Sequence, residues 1–306
     1  MIKGFIKAMF IFMKPRSILF LAIALGALSS AQSQTDYAKE IEKWRSDRET
    51  NLKKETGWLT VAGLFWLKEG VNTVGAGEKF GVRLTDNFKK GKFGEIDFRN
   101  GEAALTVENG VEAQNDGKSI SGTIDLVSDD NGKPTEIRTG TQTFFLIRRE
   151  DRFGIRLKDS NSEARRNFKG LHWFPIDESY KITARLEAYP EPKEVMVPNV
   201  LGGNFKMKSP GILKFTLKGK EYSLQPVTEE DETLFIIFSD TSNRNETYKS
   251  GRFLYANKPV NGGAILDFNK AENPPCAFTA FATCPLPPPQ NKLDVEIAAG
   301  EKRYDH

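Results

Sequence analysis

Four turn dipeptides, Asn100-Gly101, Asn109-Gly110, Asp116-Gly117 and Asn131-Gly132, punctuate the chain at near-hairpin intervals. Such pairs tolerate the positive backbone angles of the tight turns whose twist matches that of two paired strands, so each one commits its flanks to antiparallel pairing. Between them lie short alternating runs, Glu95-Ile96-Asp97-Phe98, Ala104 to Val107, Thr123 to Val127 and Thr143 to Arg148. A period of two is that of a strand with one buried face. Further runs of this kind are Phe153 to Lys158, Tyr180 to Tyr189, Lys193 to Val197, Gly211 to Leu217, Glu221 to Leu224, Thr233 to Phe238, Gly251 to Tyr255, Gly263 to Phe268 and Leu293 to Ala298. The expected class is therefore mainly β, built from antiparallel sandwich or barrel blocks. A first block is expected over residues 57–158 and a second over 159–306, as two domains or as one. Only residues 36–56 break the pattern. There Tyr37, Ile41, Trp44 and Leu52 fall near one face of a 3.6-residue period, which predicts one N-terminal amphipathic helix ending near Gly57.

The first 31 residues read as an export leader. Lys14 and Arg16 precede an apolar core from Ile18 to Leu28, and Ser29 and Ala31 supply the small residues of a cleavage site. The apolar run is shorter than the roughly 20 residues that a membrane-spanning helix needs. The expectation is a periplasmic or extracellular product with no stable span after cleavage; an uncleaved anchor extended by Met1 to Phe12 is the alternative, and Met13 is an alternative start. Removing residues 1–31, with four basic and no acidic side chains, leaves 40 basic against 41 acidic residues. With no overall positive field and no clustered Lys and Arg, a nucleic-acid partner is not expected.

The side chains exclude much chemistry. His172 and His306 are the only histidines, so sites built from several imidazoles are ruled out and a catalytic triad would need His172 as its base. No H-E-x-x-H, G-x-S-x-G, P-loop or dinucleotide fingerprint occurs, and neither a metal nor a cofactor is expected. Cys276 and Cys284 are separated by seven residues. In an exported protein two cysteines most simply pair, and closing so small a loop would add about 2–3 kcal/mol in the chain-entropy model. Free structural thiols and a reactive thiol are the alternatives.

The densest stretch of constrained residues runs from Ala264 to Pro289. It contains Asp267, Asn269 and Asn273, then Pro274 and Pro275, then the two cysteines. On a strand Asp267 and Asn269 share a face. A polar pocket there would use Asp267 and the two asparagines, with Arg252 as the anchor for a ligand anion through paired hydrogen bonds. The opposing reading has these groups bonding the backbone of the turn.

The runs D-F-N, N-P-P-C-A-F and A-T-C-P-L-P-P, with Asn291 and the terminal Gly300-Glu301-Lys302, resemble the bacterial domain-of-unknown-function family 1684. That resemblance implies no activity. It does mark G-I-R-L-K-D and E-T-Y-K-S-G-R-F as recurring segments, adding Arg156, Asp159, Thr247 and Tyr248 to the candidates. Three functions follow as expectations: binding of a small polar or anionic molecule or a glycan at a C-terminal pocket; hydrolysis with Asp267 as base or Cys276 as nucleophile; or an envelope structural or interaction module.

Overall fold

The computed structural model describes residues 35–89 and 91–304. The expected leader, residues 1–31, lies outside the described residues, as does His306. Among the described residues no helix is long and apolar enough to cross a membrane.

The architecture is mainly β, with several antiparallel sheets and a helix over residues 35–53. Gly57 lets the chain turn off that helix, because a Cβ there would collide with the carbonyls of Asn51 and Leu52. From Arg45 onward the chain forms one compact unit. Arg45, Arg48, Glu49 and Leu52 are spaced by three and four residues and so share one helical face. That face is tied to distant parts of the chain. Arg45 donates to the carbonyl of Phe174 at 2.9 Å, Glu49 accepts from the Leu171 amide at 3.0 Å, and Leu52 packs with Leu59, Ala277 and Phe278.

Two cores organise this unit. In the first, a six-stranded sheet faces a five-stranded one. The six-stranded sheet contains Val61–Trp66, Arg152–Asp159 and Gln142–Arg149 as neighbours, and the five-stranded sheet is centred on Lys92–Arg99. Phe144, Leu146, Ile155 and Leu157 point into this core to meet Phe93, Ile96 and Leu105. By the period-two rule, Phe145, Arg149 and Arg156 therefore stand on the opposite face of the six-stranded sheet. The pairing of Phe145 with Arg156 agrees with that.

The second core lies between a four-stranded and a three-stranded sheet. The four-stranded sheet is ordered Lys220–Leu224, Asn204–Leu217, Lys181–Pro198 and Gly263–Asp267. The three-stranded sheet is ordered Val227–Thr228, Leu234–Phe238 and Arg252–Ala256. All five residues of Leu234–Phe238 are buried, which requires cover on both faces. Leu234, Ile236, Phe238, Leu254 and Ala256 enter the core shared with the four-stranded sheet. Phe235, Ile237 and Phe253 enter a smaller apolar cluster on the other side, with Val197, Ala282 and Cys284.

Candidate functional site

The second face of the three-stranded sheet is only partly covered. A cavity of about 500 Å³ lies there, walled by Phe235, Phe253 and Tyr255 from this sheet and by Arg149 and Arg156 from the outer face of the six-stranded sheet. The hairpin strand Asn204–Leu217 adds Phe205, Lys206 and Met207, and Trp58 closes another side. Five more lining residues, Glu272, Pro275, Thr283, Cys284 and Pro285, come from the proline- and cysteine-rich stretch. Exposure grades from Arg156 at 4% to Tyr255 at 46%, so the arginine is deep and the tyrosine is at the rim.

Local rules place these groups. Pro274 and Pro275 start a one-turn 3-10 helix, Pro275–Ala277, with fixed backbone angles. Immediately before it, Glu272 bridges to Phe253 of the three-stranded sheet, which brings its side chain to the cavity. Gly300 holds a φ of 81° where a Cβ would strike the carbonyls of Phe268 and Ala271, so only glycine lets the chain turn Glu301 inward.

Charges around the cavity are paired with one exception. Arg149 grips Asp129 through two parallel bonds of 3.0 and 2.9 Å. Arg48, reaching in from the helix, lies 2.8 Å from Glu301 and 3.3 Å from Glu272, and it donates to the Asn273 carbonyl at 3.0 Å. Exposed Lys206 lies 3.7 Å from Glu194. Arg156 forms no ion pair among the described residues. Its Nη2 donates to the Thr283 hydroxyl at 3.3 Å, its guanidinium lies 5.5 Å from the centre of the Trp58 ring, and its Nε finds no acceptor. Burial and then the charge of Arg149 push its pKa down to about 10, which leaves it cationic at neutral pH. The Thr283 oxygen accepts from Arg149 at 3.0 Å as well as from Arg156. With its oxygen serving two donors, that hydroxyl still has its own hydrogen to give.

Glu272 is raised to about 7, chiefly by burial and secondarily by the charge of Glu301, against the lowering effect of Arg48. Glu301 is raised too, again by burial. Glu301 accepts from Arg48 and from the Asn273 amide, both at 2.8 Å, whereas Glu272 has the longer contact.

The expected site residues separate into two groups. Arg156 lines the cavity. Asn273 sits behind it, fully buried, with its amide on Glu301 and its side chain donating to the Lys302 carbonyl at 2.8 Å. Tyr248 braces the same corner by donating to the Cys276 carbonyl at 3.1 Å. Arg252, Asp267 and Asn269 do not line this cavity. Arg252 shares the parity of Leu254 and Ala256 and is fully buried on the core side, donating to Asp240 at 2.6 Å and to the carbonyls of Ile297 and Ala299. Its two terminal nitrogens are engaged by the fold while its Nε, like that of Arg156, finds no acceptor, and it stands on the core side rather than at the cavity where an anion anchor was expected. Asp267 accepts from the Asn269 amide at 3.2 Å, and Asn269 accepts from the Asp177 amide at 3.0 Å and donates to its carbonyl at 2.8 Å. These are turn-locking bonds of the kind that Asx residues make.

Cys276 and Cys284 carry free thiols in the structure. The 3-10 turn aims the Cys276 amide at the Cys284 sulfur, which accepts its hydrogen at 3.1 Å. A hydrogen bond between the thiols lowers the pKa of Cys276 and, together with burial, raises that of Cys284. Of the two cysteines, Cys284 is the one that lines the cavity.

Arg48, Trp58, Arg149, Glu272 and Thr283 were not singled out from the sequence. The available signal was the unbroken apolar run Leu234–Phe238, which demands a second partner face, and the spacing of Arg48 with Leu52 on a face that must be buried.

The sequence model of the family described as protein of unknown function (DUF1684) matches residues 166–302. A solved structure, the solution NMR structure of an uncharacterized protein from Haloarcula marismortui, is 28% identical, with a TM-score of 0.39 over 45% of this chain and 78% of that one. No curated protein matches the chain.

Proposed function

Since residues 166–302 belong to the family of unknown function DUF1684, whose proline- and cysteine-rich stretch walls the cavity, we propose that the protein is a binding protein for a small anion held there. One observation carries this reading. Arg156 is a buried guanidinium with no carboxylate on it, in a cavity whose other cations are paired among the described residues. An isolated buried charge is costly, and a fold retains one readily where a ligand supplies the counter-charge. The terminal N–H groups of Arg156 and the Thr283 O–H are the donors that an anion would meet. Of the ligand kinds expected from the sequence, this charge balance supports an anion over a glycan. The leader-like residues 14–31 support an exported location for the activity, which N-terminal sequencing of the secreted protein tests.

Titration calorimetry with a panel of small carboxylates tests the binding reading. Arg156→Gln should weaken any bound anion about 10- to 100-fold, the scale of one charge-assisted hydrogen bond. Anion binding that Arg156→Gln leaves intact would place the site elsewhere.

A second reading, hydrolysis by carboxylate chemistry, draws on Glu272, a carboxyl raised to about 7 on the cavity wall. In that reading Glu272 replaces Asp267 as the base. Turnover of an aryl ester that Glu272→Gln abolishes would support it, and turnover unchanged by that substitution would end it.

A further inference from the structure

The cavity's charge count and its walls narrow the ligand further. Arg48 lies between two carboxyls, Arg149 is matched by Asp129 and Lys206 by Glu194, so Arg156 is the one cation of the cavity wall with no carboxylate in contact among the described residues, and it offers a place for one negative charge. Its donors are arranged for a small planar acceptor. Nη1 makes no hydrogen bond among the described residues, Nη2 makes only a 3.3 Å bond, and a guanidinium presents two such N–H groups in parallel to the two oxygens of a carboxylate. The Thr283 hydroxyl beside them can give a third hydrogen bond.

Away from this corner the cavity is apolar and aromatic. Phe235 meets Phe253 edge-on at 4.8 Å and stacks with Tyr255 at 4.9 Å, and Phe205 and Met207 cover them from the hairpin. Methionine and aromatic rings offer an adaptable surface to a hydrocarbon and no hydrogen-bond pattern to a sugar. A volume of about 500 Å³ lies within the range of pockets that enclose a drug-sized molecule.

We infer that the cavity takes an amphipathic monocarboxylate, head group first: the carboxylate on Arg156 and Thr283, the hydrocarbon body against Phe205, Met207, Phe235 and Phe253, and its far end at the rim beside Tyr255. This inference rests on the anion-binding reading and adds the apolar body, the single charge and the direction of entry.

The test titrates the leaderless full chain with acetate, hexanoate, octanoate and decanoate, each below its micelle concentration, following heat and Trp fluorescence. Decanol and octyl phosphate serve as the neutral and dianionic controls. Affinity should rise about fourfold for each methylene added, the factor expected when one CH2 leaves water, until the body fills the cavity. Decanol should bind at least tenfold more weakly than decanoate, and Arg156→Gln should bring the two together. Phe235→Ala should flatten the chain-length series.

The outcomes separate the two levels of argument. Arg156-dependent acetate binding with no gain from chain length would overturn the amphipathic ligand and leave the anion reading standing. Octyl phosphate binding more tightly than octanoate would overturn the single-charge head group alone. Decanol binding as well as decanoate, indifferent to Arg156→Gln, would overturn both readings, as would the absence of any binding across the series.

Discussion

Arg252 and Arg156 are both strand residues with buried guanidinium groups, 0% and 4% exposed. They stand on different faces of the structure's sheets. Arg252 points into the core between two sheets, where Asp240 and two carbonyls meet its terminal nitrogens and only its Nε is left without an acceptor. Arg156 points out of the first sandwich into a cavity, where a weak bond to one hydroxyl and an aromatic ring are all it meets. Equal burial conceals opposite chemistry. What distinguishes the two is the supply of acceptors around them, and here that supply follows from strand parity.

The largest expected effect tests the structural half of the comparison. Arg252→Met leaves Asp240 buried without its cation and should cost about 3–5 kcal/mol in chemical denaturation. A neutral result would mean that Arg252 is not the clamp described. Next comes Arg156→Met, for which the signs diverge: anion binding is lost, yet the unliganded protein should gain about 1–2 kcal/mol because an uncompensated buried charge has been removed. A loss of stability similar to that of Arg252→Met would erase the distinction between the two residues.

A smaller effect follows from Glu272. Its pKa is raised to about 7 from an ordinary 4.5, so the folded state holds a proton that the unfolded chain has released. The associated stability is complete below the unfolded value and is lost as pH rises through about 7. Across the same window an ionised Glu272 adds negative charge beside the cavity, although Arg48 and Glu301 also face it. Anion affinity should therefore fall severalfold between pH 6 and pH 8, and Glu272→Gln should level that profile. An unchanged slope in the variant would assign the pH dependence to another group. The smallest effect is that of Thr283→Val, which removes one neutral donor and should weaken an anion by about 3- to 10-fold. The two guanidiniums that it bridges would also lose an acceptor, so its thermal midpoint should be measured beside its affinity.

Much of the fold was legible because its signals are local. Asn-Gly and Asp-Gly turns fix hairpins, alternation fixes buried faces, and the helix over residues 35–53 follows from its apolar spacing. The site was legible only in part. Arg156 entered as a candidate through the family resemblance, and the stretch from Ala264 to Pro289 contains five cavity residues. Arg252 misled because a guanidinium in sequence carries no sign of which sheet face it occupies. The parity of Phe253, Leu254 and Tyr255 reveals that only once one face is known to be core. Glu272 and Arg48 were missed for a different reason: their meeting depends on a helix and a turn more than two hundred residues apart in the chain.

The strands Leu234–Phe238 and Arg252–Ala256 divide their work residue by residue, with one set of positions holding the molecule together and the intervening set shaping what it can hold. Phe235 and Phe253 serve on both accounts, since each packs in the smaller apolar cluster while lining the cavity, whereas Tyr255 stands at the rim. On the proposed reading, Tyr255 is the position at which a lineage changes its ligand with least cost to the fold.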